Sequence, residues 1–130
     1  MSGFSDYLED KVLDHVFGGN AFTAPSTLHV ALFTVAPTDT GGGTEVSGGS
    51  YARQTATFNV SGTNPTTATN AAAVEYPTAT ADYGTVVAVG IFDASSSGNL
   101  LAYAGLTANK TVSSGDVFRF DAGDLDITLA

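Results

Sequence analysis

The sequence predicts an all-β protein, a small β-sandwich or barrel of about seven to eight short strands with one N-terminal α-helix. Apolar residues alternate with polar ones, or run together, in several short segments that are typical of strands. Gly, Ser, Asn and Asp residues, which favour turns, separate these segments. Helical periodicity occurs once, before Pro25, and no alternation of strands and helices indicates a doubly wound nucleotide-binding sheet.

The 130 residues are expected to form a single domain (1–130), with the helix at about 6–17 and the sandwich at about 26–130. Apolar residues make up 43% of the chain, which is enough for one hydrophobic core without a disulfide or a structural metal. The chain has no cysteine, and this excludes thiol catalysis, iron–sulfur clusters and cysteine-based zinc sites. We therefore predict that the protein carries no cofactor.

The helix is predicted from its end signals and its apolar stripe. Ser5 can cap its start, Asp6 and Glu9 favour its positive end, and Gly18-Gly19 can end it in a left-handed turn. We expect the stripe to pack on the protein's own sheet, with docking on a neighbouring subunit as the alternative. The stripe consists of Phe4, Leu8, Val12 and Val16, widened by Leu13 and Phe17.

The strands follow after Pro25, and two polar stretches, 38–50 and 61–69, are predicted to be loops. Turns are predicted at 95–99 and at 113–116. The predicted strands cover 28–35, 51–60, 71–76, 85–93, 100–106, 111–112 and 117–120, and a last one in which Leu125, Ile127 and Leu129 face the core. In the segment 51–60 the alternation places Ala52, Ala56, Phe58 and Val60 on one side.

Groups that could support catalysis are few and scattered. His15 lies on the helix and His29 in an apolar strand, and each is expected to have a structural role. No Gly-x-Ser-x-Gly motif is present. The glycine runs 41–43 and 48–49 lack the lysine and helix of a phosphate-binding loop. We therefore expect that the protein is not an enzyme.

Four acidic residues near the C-terminus raise the alternative of a calcium site, because calcium takes six to eight oxygen ligands. They are Asp116, Asp121, Asp124 and Asp126. Their spacing does not match the Asp-x-Asp-x-Asp-Gly loop, and positions in a turn and on the solvent face of a strand explain them. The sequence therefore predicts no metal site.

The charge balance argues against two classes of partner. Four basic residues stand against thirteen acidic ones, for a net charge of −9, and the basic residues occur singly. Binding to nucleic acid or to an anionic membrane is therefore not expected. Charged residues make up only 13% of the chain, and a weakly charged surface is easily desolvated in protein–protein contacts. Because no signal peptide is recognisable, we expect the protein to be made in the cytoplasm of the cell that produces it.

Six segments of the chain stand in an order that is characteristic of one family. They are DKVLDHVFGG (10–19), FTAP (22–25), LHVALFT (28–34), EVSGGSYARQ (45–54), VGIFD (89–93) and GDVFRF (115–120). Together they resemble a family of small virion proteins of tailed bacteriophages, labelled either tail fibre proteins or head decoration (cement) proteins. The resemblance extends over nearly the whole chain and implies a structural virion protein without catalytic residues.

Of the two labels, we expect capsid decoration, in which the protein binds the outer shell and stabilises the DNA-filled head. A single domain without repeats suits this role better than a long fibre. The implied partners are the major capsid protein and copies of the chain itself, with trimers at three-fold positions. The alternatives are a tail-tip or tail-fibre-associated protein that contacts a host receptor, and a small hydrolase or lectin-like module of cellular origin. The candidate interface residues are Phe4, Tyr7, Leu8, Val46 and Tyr51.

Overall fold

The computed structural model describes residues 2–129 and has one helix in that range, α1 (Asp6–Val16), as the sequence predicts. Ser5 caps the helix, because its Oγ accepts a hydrogen bond from the Leu8 N–H at 3.2 Å. The same Oγ donates to the Leu100 carbonyl, so the cap also ties the helix to the sheet beneath it. At 11 residues, α1 is too short to cross a membrane, and residues 2–129 contain no other candidate span.

Eleven strands follow one another between residues 2 and 129. They are β1 (Ser2–Phe4), β2 (Leu28–Val35), β3 (Thr44–Glu45), β4 (Gln54–Ala56), β5 (Phe58–Ser61), β6 (Thr66–Asn70), β7 (Val74–Glu75), β8 (Gly84–Phe92), β9 (Leu100–Val112), β10 (Arg119–Phe120) and β11 (Asp126–Leu129).

Six of these strands form an antiparallel main sheet in the order β1–β9–β8–β2–β3, with β4 also paired to β2. β2 and β8 lie in its middle and pair from His29 opposite Phe92 to Phe33 opposite Ala88. Residues 30–33 of β2 are buried without interruption, so both faces of this strand are covered. This explains why β2 and β8 read as continuous apolar runs, and the two predicted strands are confirmed.

The remaining strands form a three-stranded sheet, β11–β6–β5, and a two-stranded one, β10–β7. The sheets do not close on each other, so the fold is a sandwich and not a barrel. The predicted strand 51–60 is divided at Thr57, where the chain passes from β4 in the main sheet to β5 in the three-stranded sheet. Val60 is 71% exposed, because β5 extends beyond the core that Phe58 packs against.

Other element boundaries also differ from the predictions. The predicted loop 38–50 contains the short strand β3, and of the predicted strand 117–120 only Arg119–Phe120 is a strand. The loop predicted at 61–69 is wrong in its second half, where Thr66–Asn70 form β6 between two partner strands; its β-branched threonines suit a strand although they give no apolar signal. Only Val74–Glu75 of the predicted strand 71–76 is a strand. Residues 111–112 belong to β9, which continues through an irregularity opposite Val86 and Ala88.

The main core lies between the main sheet and the two smaller sheets. Tyr76 is at its centre, and its hydroxyl donates to the Val30 carbonyl at 2.7 Å. The Tyr76 ring stacks on Tyr51 with 5.9 Å between centroids and meets the Phe118 ring edge-on at the same distance. The hydrogen bond links Tyr76 to β2, and the aromatic contacts join the segments after β7, before β4 and before β10 across the sandwich.

Asn70 is a buried polar hub, 2% exposed, that holds the end of β6 to the turn before β11. Its Nδ2 donates to the carbonyls of Ala72 and Asp121, at 2.9 and 3.0 Å. Its Oδ1 accepts from the N–H groups of Gly123 and Leu125, at 3.0 and 2.9 Å. One side chain therefore makes four hydrogen bonds to backbone groups of three neighbouring segments.

We predict that Asn70→Ala lowers the free energy of unfolding by roughly 3 kcal/mol, because four hydrogen bonds are lost and the buried Leu125 N–H loses the amide oxygen that it bonds. Urea unfolding followed by far-ultraviolet circular dichroism measures this. Asn59→Ala, on the exposed face of the neighbouring strand β5, is the matched control and should change stability by less than about 0.5 kcal/mol. Equal losses in the two variants would contradict the role of Asn70.

Candidate contact surface and the network that shapes it

Arg53 lies at the junction of several loops at one end of the main sheet. Its guanidinium forms a two-point ion pair with Glu45, with Nε–Oε2 at 2.9 Å and Nη2–Oε1 at 2.8 Å. Its Nη1 donates to the carbonyls of Ala94 and Ser97, at 2.9 and 2.8 Å. The guanidinium also covers the Phe92 ring, 3.8 Å from the centroid. Only 7% of the Arg53 side chain is exposed, so these are largely buried interactions.

Tyr51 extends this network to β2. Its hydroxyl donates to Glu45 Oε2 at 2.7 Å and accepts from the Leu32 N–H at 3.0 Å. Burial by itself would raise the pKa of Glu45, but the hydrogen bonds from Arg53 and Tyr51 and the charge of Arg53 outweigh it and lower that pKa. Glu45 is therefore a carboxylate at neutral pH. The network fixes β3, which follows the glycine-rich loop at 36–43, and the turn at 95–99 relative to each other.

A second set of contacts joins the same glycine-rich loop to the start of α1. The Tyr103 hydroxyl donates to Asp39 Oδ1, and the Asp6 N–H donates to the Asp39 carbonyl at 2.9 Å. A pocket of about 530 Å³ lies between the loop, the helix start and the turn at 95–99. Tyr7, Asp39, Thr40 and Asn99 are among the residues that line it. This end of the sheet therefore presents loops that are already fixed and a pocket with both polar and apolar walls.

The predicted interface residues are divided between the surface and the core. Val46 is 4% exposed and its side chain packs in the main core, so the prediction for Val46 is wrong and its side chain cannot contact a neighbour. Tyr51 stacks on Tyr76 and holds Glu45, which gives it an internal role. Phe4, Tyr7 and Leu8 are half-buried around α1, and their participation in an interface stays a prediction.

The apolar residues of α1 do not form the inward stripe that their spacing suggests, and no residue of the helix is fully buried. Leu8 and Val12 are half-buried. Leu13, Val16 and Phe17 are 59%, 60% and 81% exposed. A four-residue repeat advances by about 40° more than one turn of an α-helix, so the stripe drifts and Val16 reaches the outer side. Packing on the sheet is thus limited to the inner half of the stripe.

An open cleft of about 820 Å³ runs between β9 and β11. Its apolar walls include Ile91, Phe118 and Ile127, and charged residues at its edge are Lys110, Asp124 and Asp126. One basic and two acidic side chains give this edge no net positive charge.

The titratable groups considered for chemistry are mostly engaged in local hydrogen bonds. His15 Nδ1 accepts from the Phe22 N–H at 3.1 Å, whereas His29 Nδ1 is buried without a partner among the described residues. Across residues 2–129, no three His, Cys, Asp or Glu side chains are grouped so that they could hold a metal ion.

The C-terminal acidic residues make bonds of the kind expected for turns and strand faces. Asp116 and Asp124 accept from the N–H groups of Ser113 and Asp121, both at 2.9 Å. Asp126 accepts from the Thr69 hydroxyl at 2.7 Å. Asp121 pairs with Arg119 at 2.8 Å. These contacts account for the four acidic residues without the calcium alternative.

The fold and these contacts describe a small all-β structural protein, and comparison with known proteins gives its class. A protein-family model described as "Podophage GP4 fiber I protein gp80" matches residues 3–128. The chain therefore belongs to this family of phage fibre proteins. A search of curated proteins found no match. The family confirms the resemblance to small tailed-phage virion proteins, and it supports the tail fibre alternative better than the expected capsid decoration.

We predict that Arg53→Lys lowers the free energy of unfolding by roughly 2–4 kcal/mol although the charge is kept, because lysine cannot make the two-point pair, reach both carbonyls and cover Phe92 together. Arg119→Lys is the matched control. Arg119 pairs with Glu75 and Asp121 at the surface, and its replacement should leave the free energy of unfolding nearly unchanged. Urea unfolding measures both, and similar losses would contradict the prediction.

We predict that the stabilising effect of Glu45 depends on pH. Its folded-state pKa is lowered from an ordinary value of 4.5, so its contribution is complete above that value and is lost as the pH falls through the folded-state pKa. Glu45→Gln should therefore be less stable than the unaltered protein at pH 7, by roughly 2 kcal/mol. The difference should shrink as the pH falls below 4.5 and through the folded-state pKa, because a protonated Glu45 also leaves Arg53 without a negative partner. Urea midpoints over a series of pH values from 7 downwards test this, and a constant difference would contradict it.

Proposed function

We propose that this chain is a structural subunit of the tail fibres of a tailed phage, carried in the virion and positioned to contact the host receptor. The observation that supports this most strongly is the family match, which extends over residues 3–128 and so takes in nearly the whole chain. The proposed partners are other tail and fibre proteins, and the proposed external ligand is a molecule of the host surface.

The fixed loops at one end of the main sheet support the proposal of receptor contact. Arg53 holds β3 and the turn at 95–99 together, and Asp39 fixes the glycine-rich loop before β3 to Tyr103 and to the start of α1. Loops that are ordered before binding lose little conformational entropy when they bind. The pocket of about 530 Å³ beside them, with both polar and apolar walls, is the surface we favour for this contact.

We propose a structural role without catalysis. The imidazole of His15 lies on α1 and that of His29 on β2, and His15 Nδ1 is already used by the Phe22 N–H. The charged residues with the most extensive contacts, Arg53 and Glu45, bond to each other and to backbone carbonyls, which is typical of a structural ion pair.

Labelling of intact virions tests the location. We expect gold-conjugated antibodies against this protein to mark the tail and to leave the heads bare in negative-stain electron microscopy. Virions from which the gene has been deleted serve as the control for antibody specificity. Label on the heads would overturn the proposal in favour of capsid decoration.

Adsorption and head stability separate the two roles independently. We expect deletion of the gene to slow adsorption to host cells by at least about tenfold and to leave the heat resistance of DNA-filled heads unchanged. If the protein decorates the capsid, deletion should instead leave adsorption unchanged and make the DNA-filled heads less resistant to heat. A protein that clamps shell subunits raises the barrier to rupture of the shell and has no part in attachment to the host. Unchanged adsorption together with fragile heads would contradict the fibre role.

A further inference from the structure

Helix α1 turns a continuous outer face to solvent, and this face has two chemically different halves. Successive residues of an α-helix are rotated by about 100°, so positions 6, 9, 10, 13, 16 and 17 fall within an arc of roughly 120°. All six are exposed, whereas positions 7, 8, 11, 12 and 14 are partly covered. The first half of the face is acidic, with Asp6, Glu9 and Asp10, and the second half is apolar, with Leu13, Val16 and Phe17. We call the apolar half the ridge.

The ridge does not result from a frayed helix end. The Phe17 N–H donates to the Leu13 carbonyl at 2.8 Å, and the Asn20 N–H donates to the Asp14 carbonyl at 3.2 Å. The Asn20 side chain also donates to Asp14 Oδ1 at 2.9 Å. His15 secures the next stretch by accepting from the Phe22 N–H. Backbone bonds therefore hold Phe17 in an exposed position, and three neighbouring apolar side chains in water are typical of a docking surface.

The charges of the chain argue against a second copy as the occupant of this face. Two such faces packed in parallel would place six carboxylates near one another, and packed antiparallel they would set each acidic half against the apolar half of the other copy. The basic residues do not provide a complementary patch, since Arg53 pairs with Glu45 and Arg119 pairs with Glu75 and Asp121. Lys11 lies 5.7 Å from the Tyr7 centroid, on the covered side of α1. The large apolar cleft carries Lys110 together with two carboxylates, so it also lacks a positive rim.

We propose that the outer face of α1 docks into an apolar groove, with lysine or arginine at one end, on a different protein of the virion. The ridge fills the groove, and Asp6, Glu9 and Asp10 meet the basic end and set the direction of the helix. This inference rests on the proposed function, because it takes the partner to be another virion component. It assigns the attachment to the particle to the outer face of α1 and leaves for the host the pocket that adjoins the start of the helix, between the glycine-rich loop and the turn at 95–99.

Reassembly on depleted virions tests the proposal. Virions from which the gene has been deleted are incubated with purified, fluorescently labelled protein, and the bound copies per particle are measured against concentration. We expect Leu13→Gln/Phe17→Gln to bind at least about tenfold more weakly than the unaltered protein, which corresponds to about 1.4 kcal/mol. Val60→Thr/Val117→Thr removes two exposed apolar side chains elsewhere and should bind as the unaltered protein does. Circular dichroism checks that all variants are folded.

Two further experiments, removal of acidic charges from α1 and photo-crosslinking from its ridge, test the chemistry of the partner. We expect Glu9→Gln/Asp10→Asn to bind several-fold more weakly and to lose part of the salt dependence. Photo-crosslinking from Phe17→p-benzoylphenylalanine, read by mass spectrometry, should join this chain to another virion protein next to lysine or arginine residues. A crosslink to a second copy of this chain, or sedimentation showing oligomers that Leu13→Gln/Phe17→Gln dissociates, would overturn the inference.

The remaining outcomes separate this inference from the proposed function. If the unaltered protein binds depleted virions and the helix variants bind equally well, the docking face is wrong and the fibre role stands. If the unaltered protein does not bind depleted virions and antibodies find no label on intact ones, both are wrong. If antibodies label the tail of intact virions but the helix variants are incorporated normally when expressed from the phage genome, only the docking face is wrong.

Discussion

The pair formed by Arg53 and Glu45 is the interaction on which the shape of one end of this protein depends. A guanidinium that is almost fully buried is tolerated only when its donors are satisfied, and Arg53 uses Glu45, two backbone carbonyls and the face of Phe92 for this purpose. These partners lie on β3, at the end of β8 and in the turn after it, so satisfying one side chain fixes these segments and the start of β4 together. The glycine-rich loop before β3 is thereby anchored at its end, although such loops lose much conformational freedom when they become ordered.

The elements whose own residues show a clear apolar pattern or clear end signals could be predicted from the sequence. β2 and β8 are long, apolar and central, and the helix has a cap and a clear stop, so local signals and tertiary packing agree. β6 was missed, because Thr66–Asn70 carry no apolar pattern and become a strand through partners on both sides. The break at Thr57 was missed for a related reason: alternation continues through it, and only the three-dimensional arrangement decides that the chain changes sheets.

The contact residues were harder to predict than the fold. Arg53 was counted among scattered charges, although Glu45 lies eight residues before it across a glycine-containing turn, which is the one signal that could have paired them. Val46 and Tyr51 were selected as surface groups because the segment around them is rich in glycine, but both pack inward. The outward position of the ridge could have been predicted from helical geometry, because residues that repeat every four positions cannot all stay on one face of an α-helix. What the sequence could not supply is which side of the helix the sheet would cover.

The passage of the chain between two sheets at Thr57 has a mechanical consequence. β4 and β5 are separated by a single residue, yet one is bonded to β2 in the main layer and the other to β6 in the opposite layer. The two layers therefore cannot slide apart without rupturing backbone pairing on both sides of that residue at once. This link at Thr57 couples the two layers, so they should unfold as one cooperative unit when a shearing force acts on the protein.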